Sequence, residues 1–204
     1  DVRVIRRLQP AGPYTLWGYS FGARIAFETA SQLERSGEQV ENLFLIAPGA
    51  PRIRAVDEHA NAVGRSYGDR TFLTILFSVF AGTIAGPLVA ECLKKVDDEE
   101  SFASFVSSNF ADLEADLVRR IIRVVERTYQ FTYEFHELTE RWINAPITIF
   151  KARGDDYSFI ENSGRYSSEA PTLIDLEADH YGILKAPGVD ELVKMIHGRL
   201  GVDM

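Results

Sequence analysis

A serine lies between two glycines in Gly18-Tyr-Ser-Phe-Gly22, directly after the apolar run Tyr14-Thr-Leu-Trp17 and directly before a helical pattern. A strand followed by G-x-S-x-G and a helix makes a sharp turn that lifts a serine hydroxyl clear of the main chain, where it can act as a nucleophile. Glycines are expected at both ends of the turn, because larger side chains there would collide with the neighbouring strand and helix. The helix that begins at Phe21 aims its N-terminal dipole and free N–H groups at the same point. The Phe21 amide is therefore expected to donate to an oxyanion.

A serine hydroxyl attacks only with help from a general base, and the chain offers His59, His136, His180 and His197. His180 follows a strand pattern in the last part of the chain, where the chain order Ser, Asp, His of α/β-hydrolases puts the base. His59 and His136 fall in a helical stretch and His197 in the final helix, so all three read as surface or packing residues. A carboxylate must then orient the imidazole and stabilise its protonated form. Asp155 and Asp156 occupy the turn Arg153-Gly-Asp-Asp156, after the strand that precedes the one delivering His180. Either of the two meets the positional requirement, although aspartates also favour such turns for local hydrogen bonds alone. Asp179, next to His180, is expected to point away into solvent.

Elements must bring these groups together. Tyr14–Trp17 and Leu43–Ala47 read as strands, with a helix from Phe21 to Ser36 between them whose positions Ile25, Ala26, Thr29, Ala30 and Leu33 recur at three and four residues. Strand, helix, strand implies a parallel pair joined by a crossover. Further strands are predicted at Ile147–Phe150 and Thr172–Leu176, and an amphipathic helix over Val189–Leu200. Between them, residues 55–142 show helical periodicity only. Phe102, Phe105 and Val106 share one face there, and Leu117, Ile121, Val124, Val125, Thr128 and Phe131 another. An insertion of roughly 85 residues is far longer than an ordinary loop and reads as a lid. The expected architecture is one domain over residues 1–204: a mostly parallel α/β sheet with a helical lid.

Composition narrows the function classes. With 204 residues, 46% hydrophobic and 25% charged, the chain suits a globular domain with a sizeable core. Its formal charge of −8, from 22 Lys and Arg against 30 Asp and Glu, disfavours a phosphate-binding surface, so no nucleic-acid partner is implied. The single cysteine, Cys92, excludes an intrachain disulfide and a multi-cysteine metal site, and suits a reducing, cytoplasmic setting. The charged opening Asp1–Arg7 carries no signal-peptide pattern. Thr71–Ala90 is uncharged and long enough to span a bilayer, but Gly82, Gly86 and Pro87 interrupt it. Two short apolar helices over a binding channel are expected instead of a membrane span. Phe72, Leu73, Leu76, Phe80 and Leu88 would line that channel, or else form plain core.

Taken together, Gln9-Pro-Ala-Gly-Pro-Tyr-Thr-Leu-Trp-Gly-Tyr-Ser-Phe-Gly22, Ala26-Phe-Glu-Thr-Ala30 and Asp179-His180-Tyr-Gly-Ile-Leu184 resemble the thioesterase domains of polyketide synthases and non-ribosomal peptide synthetases. The resemblance covers nearly the whole chain. It implies an α/β-hydrolase fold and a substrate presented as a thioester on the phosphopantetheine arm of an acyl or peptidyl carrier protein, with no cofactor held by the domain itself. Ser20 would be acylated by the chain and discharged by hydrolysis or cyclisation. An editing thioesterase and a carboxylesterase acting on free esters are the alternative readings. Many integrated members place the acid after the strand that follows the elbow helix, but here that strand ends Leu45-Ile-Ala-Pro48, without a carboxylate. The pattern of stand-alone thioesterases, which carry the acid on the later strand, favours Asp155, with Asp156 as the alternative. The family also has strands before the elbow and a second oxyanion donor in one of their loops, so the domain is expected to be N-terminally incomplete.

Overall fold

The computed structural model describes residues 2–51, 67–129, 142–157 and 167–201. Its contacts fall into two compact units, Asp1–Arg52 with Tyr133–Met204, and Ile53–Thr132. His59, His136 and Phe131 lie outside the described residues.

The first unit begins with α1 (Val2–Leu8), β1 (Tyr14–Tyr19), α2 (Phe21–Arg35), β2 (Val40–Ile46) and β3 (Ala50–Pro51). After the second unit come β4 (Ile147–Arg153), β5 (Asp155–Asp156), β6 (Thr172–Asp179) and a final helix, α7 (Gly188–Leu200). Four strands form a sheet in the order β1-β2-β4-β6, and every pairing in it is parallel. β3 and β5 make a separate antiparallel pair, with Ala50 opposite Asp156 and Pro51 opposite Asp155.

Why the central strands β2 and β4 are buried on both faces is visible in the two-residue period of β2. Leu43 and Leu45 join the cluster that contains Ala23, Ala26, Phe27, Ala30 and Leu33 of α2. Phe44 and Ile46, pointing the other way, join Leu176, Ile183 and Leu192, with Ile196 of α7 packed against them. β4 divides in the same manner, Ile147 and Ile149 to the first cluster and Phe150 and Ala152 to the second. α2 ends where Gly37 takes a left-handed φ of 84°, and the Gly37 N–H donates to the Glu34 carbonyl at 2.9 Å. Ile25, expected on its buried face, is instead 48% exposed, and Ala23 and Phe27 take the inner positions. Beside a closely packed sheet the small alanines let the helix approach, and the phase of the stripe follows them.

The second unit contains α3 (Arg70–Ala81), α4 (Pro87–Lys95), α5 (Glu99–Asn109) and α6 (Ala115–Tyr129). Its helix ends carry recognisable caps. The Asp69 carboxylate accepts from the amides of Thr71 and Phe72, Gly82 closes α3 in the left-handed region, and Pro87 opens α4 at its first turn. Asp98 and Ser101 form a reciprocal capping box at the start of α5. The uncharged segment is thus two helices, and no helix among the described residues is long and apolar enough to cross a membrane.

Phe72, Leu73 and Leu76 are fully buried in this unit's own core with Phe77, Phe102, Val106 and Cys92, while Phe80 and Leu88 pack partly buried against it. The plain core reading therefore holds for Phe72, Leu73 and Leu76. Burial pushes the Cys92 thiol up to about 12, so it stays protonated and inert. α6 keeps part of the predicted face, with Val125 buried and Ile121 packed against the core, and corrects the rest. Val118, Ile122 and Val125 are the buried stripe, whereas Leu117 is 41% and Val124 60% exposed. The sequence of α6 holds two apolar stripes one residue apart, each with helical spacing, and only packing against the other helices selects between them. Ile122→Ala is accordingly expected to cost about 2–5 kcal/mol, and Val124→Ala under about 0.5 kcal/mol, in urea unfolding of the full chain. Equal losses at the two positions would contradict this packing.

Candidate active site

Parallel strands open all their carboxyl ends on one side of a sheet, and loops there collect functional groups. Ser20 follows β1, Asp155 follows β4 and His180 follows β6. The β4–β6 register slips between Lys151 and Arg153, so that Arg153 comes to face Asp179. The two chain segments that carry Asp155 and His180 leave the sheet side by side as a result.

Ser20 sits at φ 55° and ψ −121°, a backbone conformation unfavourable for any residue with a Cβ. Its amide donates to the Ile46 carbonyl at 2.8 Å, and its carbonyl accepts from the Ala23 amide at 3.0 Å, which locks the turn between β2 and the start of α2. A serine at a helix N-cap usually bonds back to an amide of the first turn. The Ser20 hydroxyl makes no such cap bond and lies 2.9 Å from His180 Nε2. Phe21 is the first residue of α2, so its amide belongs to the turn whose N–H groups have no acceptor within the helix.

The two glycines of the turn differ. A Cβ at Gly18 would stand 2.1 Å from the Gly22 carbonyl oxygen and 2.8 Å from the Ala23 nitrogen, whereas a Cβ at Gly22 would meet nothing within 4 Å. The collision expected of both glycines is real for Gly18 alone.

His180 is 5% exposed, and its Nδ1 lies 2.6 Å from Asp155 Oδ2. A carboxylate can only accept, so Nδ1 carries the proton and Nε2 presents its lone pair to the serine hydroxyl. Asp155 is 8% exposed, and its Oδ2 also receives the Tyr157 hydroxyl at 3.4 Å. Tyr157 is itself anchored by the Ala152 amide, which donates to its oxygen at 2.6 Å. Burial drives the Tyr157 phenol well above its ordinary pKa and keeps it a donor. Asp156 is exposed, as the two-residue alternation of β5 requires. Asp179 is exposed as well, and its Oδ1 accepts from the Gly182 amide at 2.8 Å, shaping the turn after His180. His197 lies half-buried on α7, outside this group of residues.

Two residues beside the site were not legible as such. Tyr19 donates its hydroxyl to the His180 carbonyl at 2.5 Å and sets its ring 5.3 Å from the imidazole. Tyr157 braces Asp155 as described. Their only sequence signal is nearness to a reactive residue, which does not say where a side chain points. Among the described residues, no group of three or more His, Cys, Asp and Glu is placed to hold a metal ion.

A parallel sheet whose central strands are buried on both faces, with a serine, an imidazole and a carboxylate in one hydrogen-bonded row, defines a serine α/β-hydrolase. The thioesterase domain family model matches residues 2–200, and the chain belongs to that family. It is 59% identical, over 203 residues, to an indigoidine synthase of Streptomyces lavendulae, covering 98% of this chain and 16% of that protein. Among solved structures it is similar to a four-domain nonribosomal peptide synthetase bound to AMP and glycine, with a TM-score of 0.69 and 22% identity over 99% of this chain and 15% of that one. The Vlm2 thioesterase domain matches with a TM-score of 0.61 and 23% identity, over 92% of this chain and 68% of that one. The likeness to both structures is one of fold. The chain thus spans about a sixth of its curated relative, and the sheet with its helices is that of a thioesterase α/β-hydrolase.

The unequal glycines yield a test. Gly18→Ala should lose at least about 3 kcal/mol of stability, since its Cβ meets backbone that cannot move aside. Gly22→Ala, inside a helix and in open space, should be neutral or stabilising by up to about 1 kcal/mol. Urea midpoints in the reverse order would disprove the turn as described.

Proposed function

We propose that this domain releases an acyl or peptidyl chain from the phosphopantetheine thioester of a carrier protein through an acyl intermediate on Ser20. The observation that carries this reading is the row Ser20 Oγ to His180 Nε2 at 2.9 Å and His180 Nδ1 to Asp155 Oδ2 at 2.6 Å. His180 takes the hydroxyl proton as Oγ attacks the thioester carbonyl. The Phe21 amide, with the positive end of the α2 dipole, stabilises the resulting oxyanion. When the C–S bond breaks, the imidazolium returns the proton to the departing pantetheine sulfur. Water, or a nucleophile within the chain itself, then gives its proton to His180 and attacks the acyl-serine ester, and as the ester C–O bond breaks His180 passes that proton to Ser20 Oγ, freeing the product. Asp155 holds the Nδ1–H tautomer and the orientation of the ring.

For the helical insertion, residues 55–142, the proposed role is that of a lid. The domain holds no cofactor of its own, since the pantetheine arm belongs to the carrier. The small share of the indigoidine synthase that this chain covers supports a place inside a longer, multidomain synthase with a carrier domain nearby. The setting proposed is cytoplasmic, where the buried Cys92 stays reduced.

Intact-protein mass spectrometry of the full chain incubated with acyl carrier thioesters should show one acyl group on Ser20, and none on Ser20→Ala. Asp155→Asn should lower release by about 10⁴-fold, and Asp156→Asn by less than about tenfold. Two mild losses would remove Asp155 from the mechanism. Faster acylation by simple esters than by carrier thioesters would assign the domain to the carboxylesterases.

A further inference from the structure

In the order β1-β2-β4-β6, the strand that delivers Ser20 and the strand that delivers His180 lie three places apart, about 14 Å at the usual spacing between strands. A serine hydroxyl and an imidazole cannot bridge that distance from the strand ends alone. The segment after β6 must lean over β4 and β2 and be held there. Its own turn is well knit: the Asp179 carbonyl accepts from the amides of Gly182 and Ile183 at 3.0 and 3.1 Å, and Asp179 Oδ1 accepts from Gly182 at 2.8 Å. Those bonds are internal to the turn. They set its shape, and Ile183, buried with Phe44 and Ile46, seats it against β2.

Tyr19 adds a direct tie from β1 to this turn. It is the last residue of β1 and the immediate neighbour of Ser20, and its hydroxyl donates to the His180 main-chain carbonyl at 2.5 Å. The bond therefore measures the base against the backbone of the nucleophile itself. The Tyr19 ring, tilted 43° to the imidazole with centroids 5.3 Å apart, limits how far His180 can rotate. Burial foremost, and then the neighbouring Tyr181, Asp155 and Asp179, drive the Tyr19 phenol far above its ordinary pKa, so the donor keeps its proton.

We infer that Tyr19 is a positioning residue that acts through His180, its hydroxyl holding Nε2 in line with Ser20 Oγ. The inference rests on the Ser20–His180–Asp155 reading above. Tyr19→Phe removes one oxygen and keeps the ring, so the His180 carbonyl loses this donor and the imidazole its direct register with β1. Misplacement by a fraction of an ångström slows proton transfer without changing what the site binds.

The test uses the full chain and a fluorophosphonate probe, whose reaction with serine needs the same base. In Tyr19→Phe the maximal labelling rate should fall about tenfold, while the probe concentration at half-maximal rate stays within about twofold. The proton between His180 Nδ1 and Asp155 is expected far downfield in the proton NMR spectrum of the parent and should broaden or shift upfield in the variant, with near-UV circular dichroism unchanged. A labelling rate within twofold of the parent, an unaltered downfield proton, or a rate loss accompanied by lost near-UV signal would each overturn the inference. Parent protein that the probe does not label, or labels equally in Ser20→Ala, would instead defeat the catalytic reading. The NMR measurement reports on Tyr19 whether or not the serine reacts.

Discussion

Ser20 occupies a backbone conformation that its own Cβ disfavours, with φ at 55°, and the geometry of the reactive row depends on its being held there. Relaxing Ser20 would turn the hydroxyl toward the first-turn amides of α2, where N-cap serines usually bond. The restraint comes from both sides: the Ser20 amide is tied to the Ile46 carbonyl on β2, and α2 packs so near β1 that only hydrogen fits on the Gly18 α-carbon. Strain of this kind persists when its surroundings over-determine it. Here the surroundings are the α2 face of the core, with Ala23, Ala26 and Ala30 permitting the close approach.

A second non-glycine residue with positive φ, Ala47, ends β2 at 45°. The chain turns there and returns as β3, whose pairing with β5 places Pro51 opposite Asp155. Gly49 comes so near the turn that a Cβ would stand 2.6 Å from the Asp156 carbonyl oxygen and 2.9 Å from the Tyr157 ring. The segment after β2 thus supplies support for the acid-bearing turn where, by resemblance, many related domains place the acid itself. Asp155, Tyr157 and Gly49 form one packed corner, and the imidazole is oriented from it.

The residues with chemistry were readable because the turn motif, the histidine and the acidic turn each follow a strand pattern, and parallel strands in one sheet must open to the same side. The choice of Asp155 over Asp156 was different in kind. Both satisfied every spacing requirement of the sequence, and the resemblance merely favoured one. A two-residue strand with one side chain inward and one outward separates them, which requires knowing that β5 pairs with β3.

The same limit recurs wherever the sequence offered two equivalent answers. Helical spacing in α6 is met equally by Leu117, Ile121 and Val124 and by Val118, Ile122 and Val125, and in α2 by Ile25 as well as by Phe27. Period alone carries no phase. The sequence by itself determined the order of the four sheet strands, the break at Gly82 to Pro87, the sharp turn around Ser20 and the part of the chain that carries His180. Tertiary structure decided which apolar stripe is buried, which glycine is indispensable, which aspartate meets His180, and that Tyr19 reaches across to the His180 carbonyl. These are matters of direction between segments far apart in the chain, and local propensity is blind to direction until the segments pack.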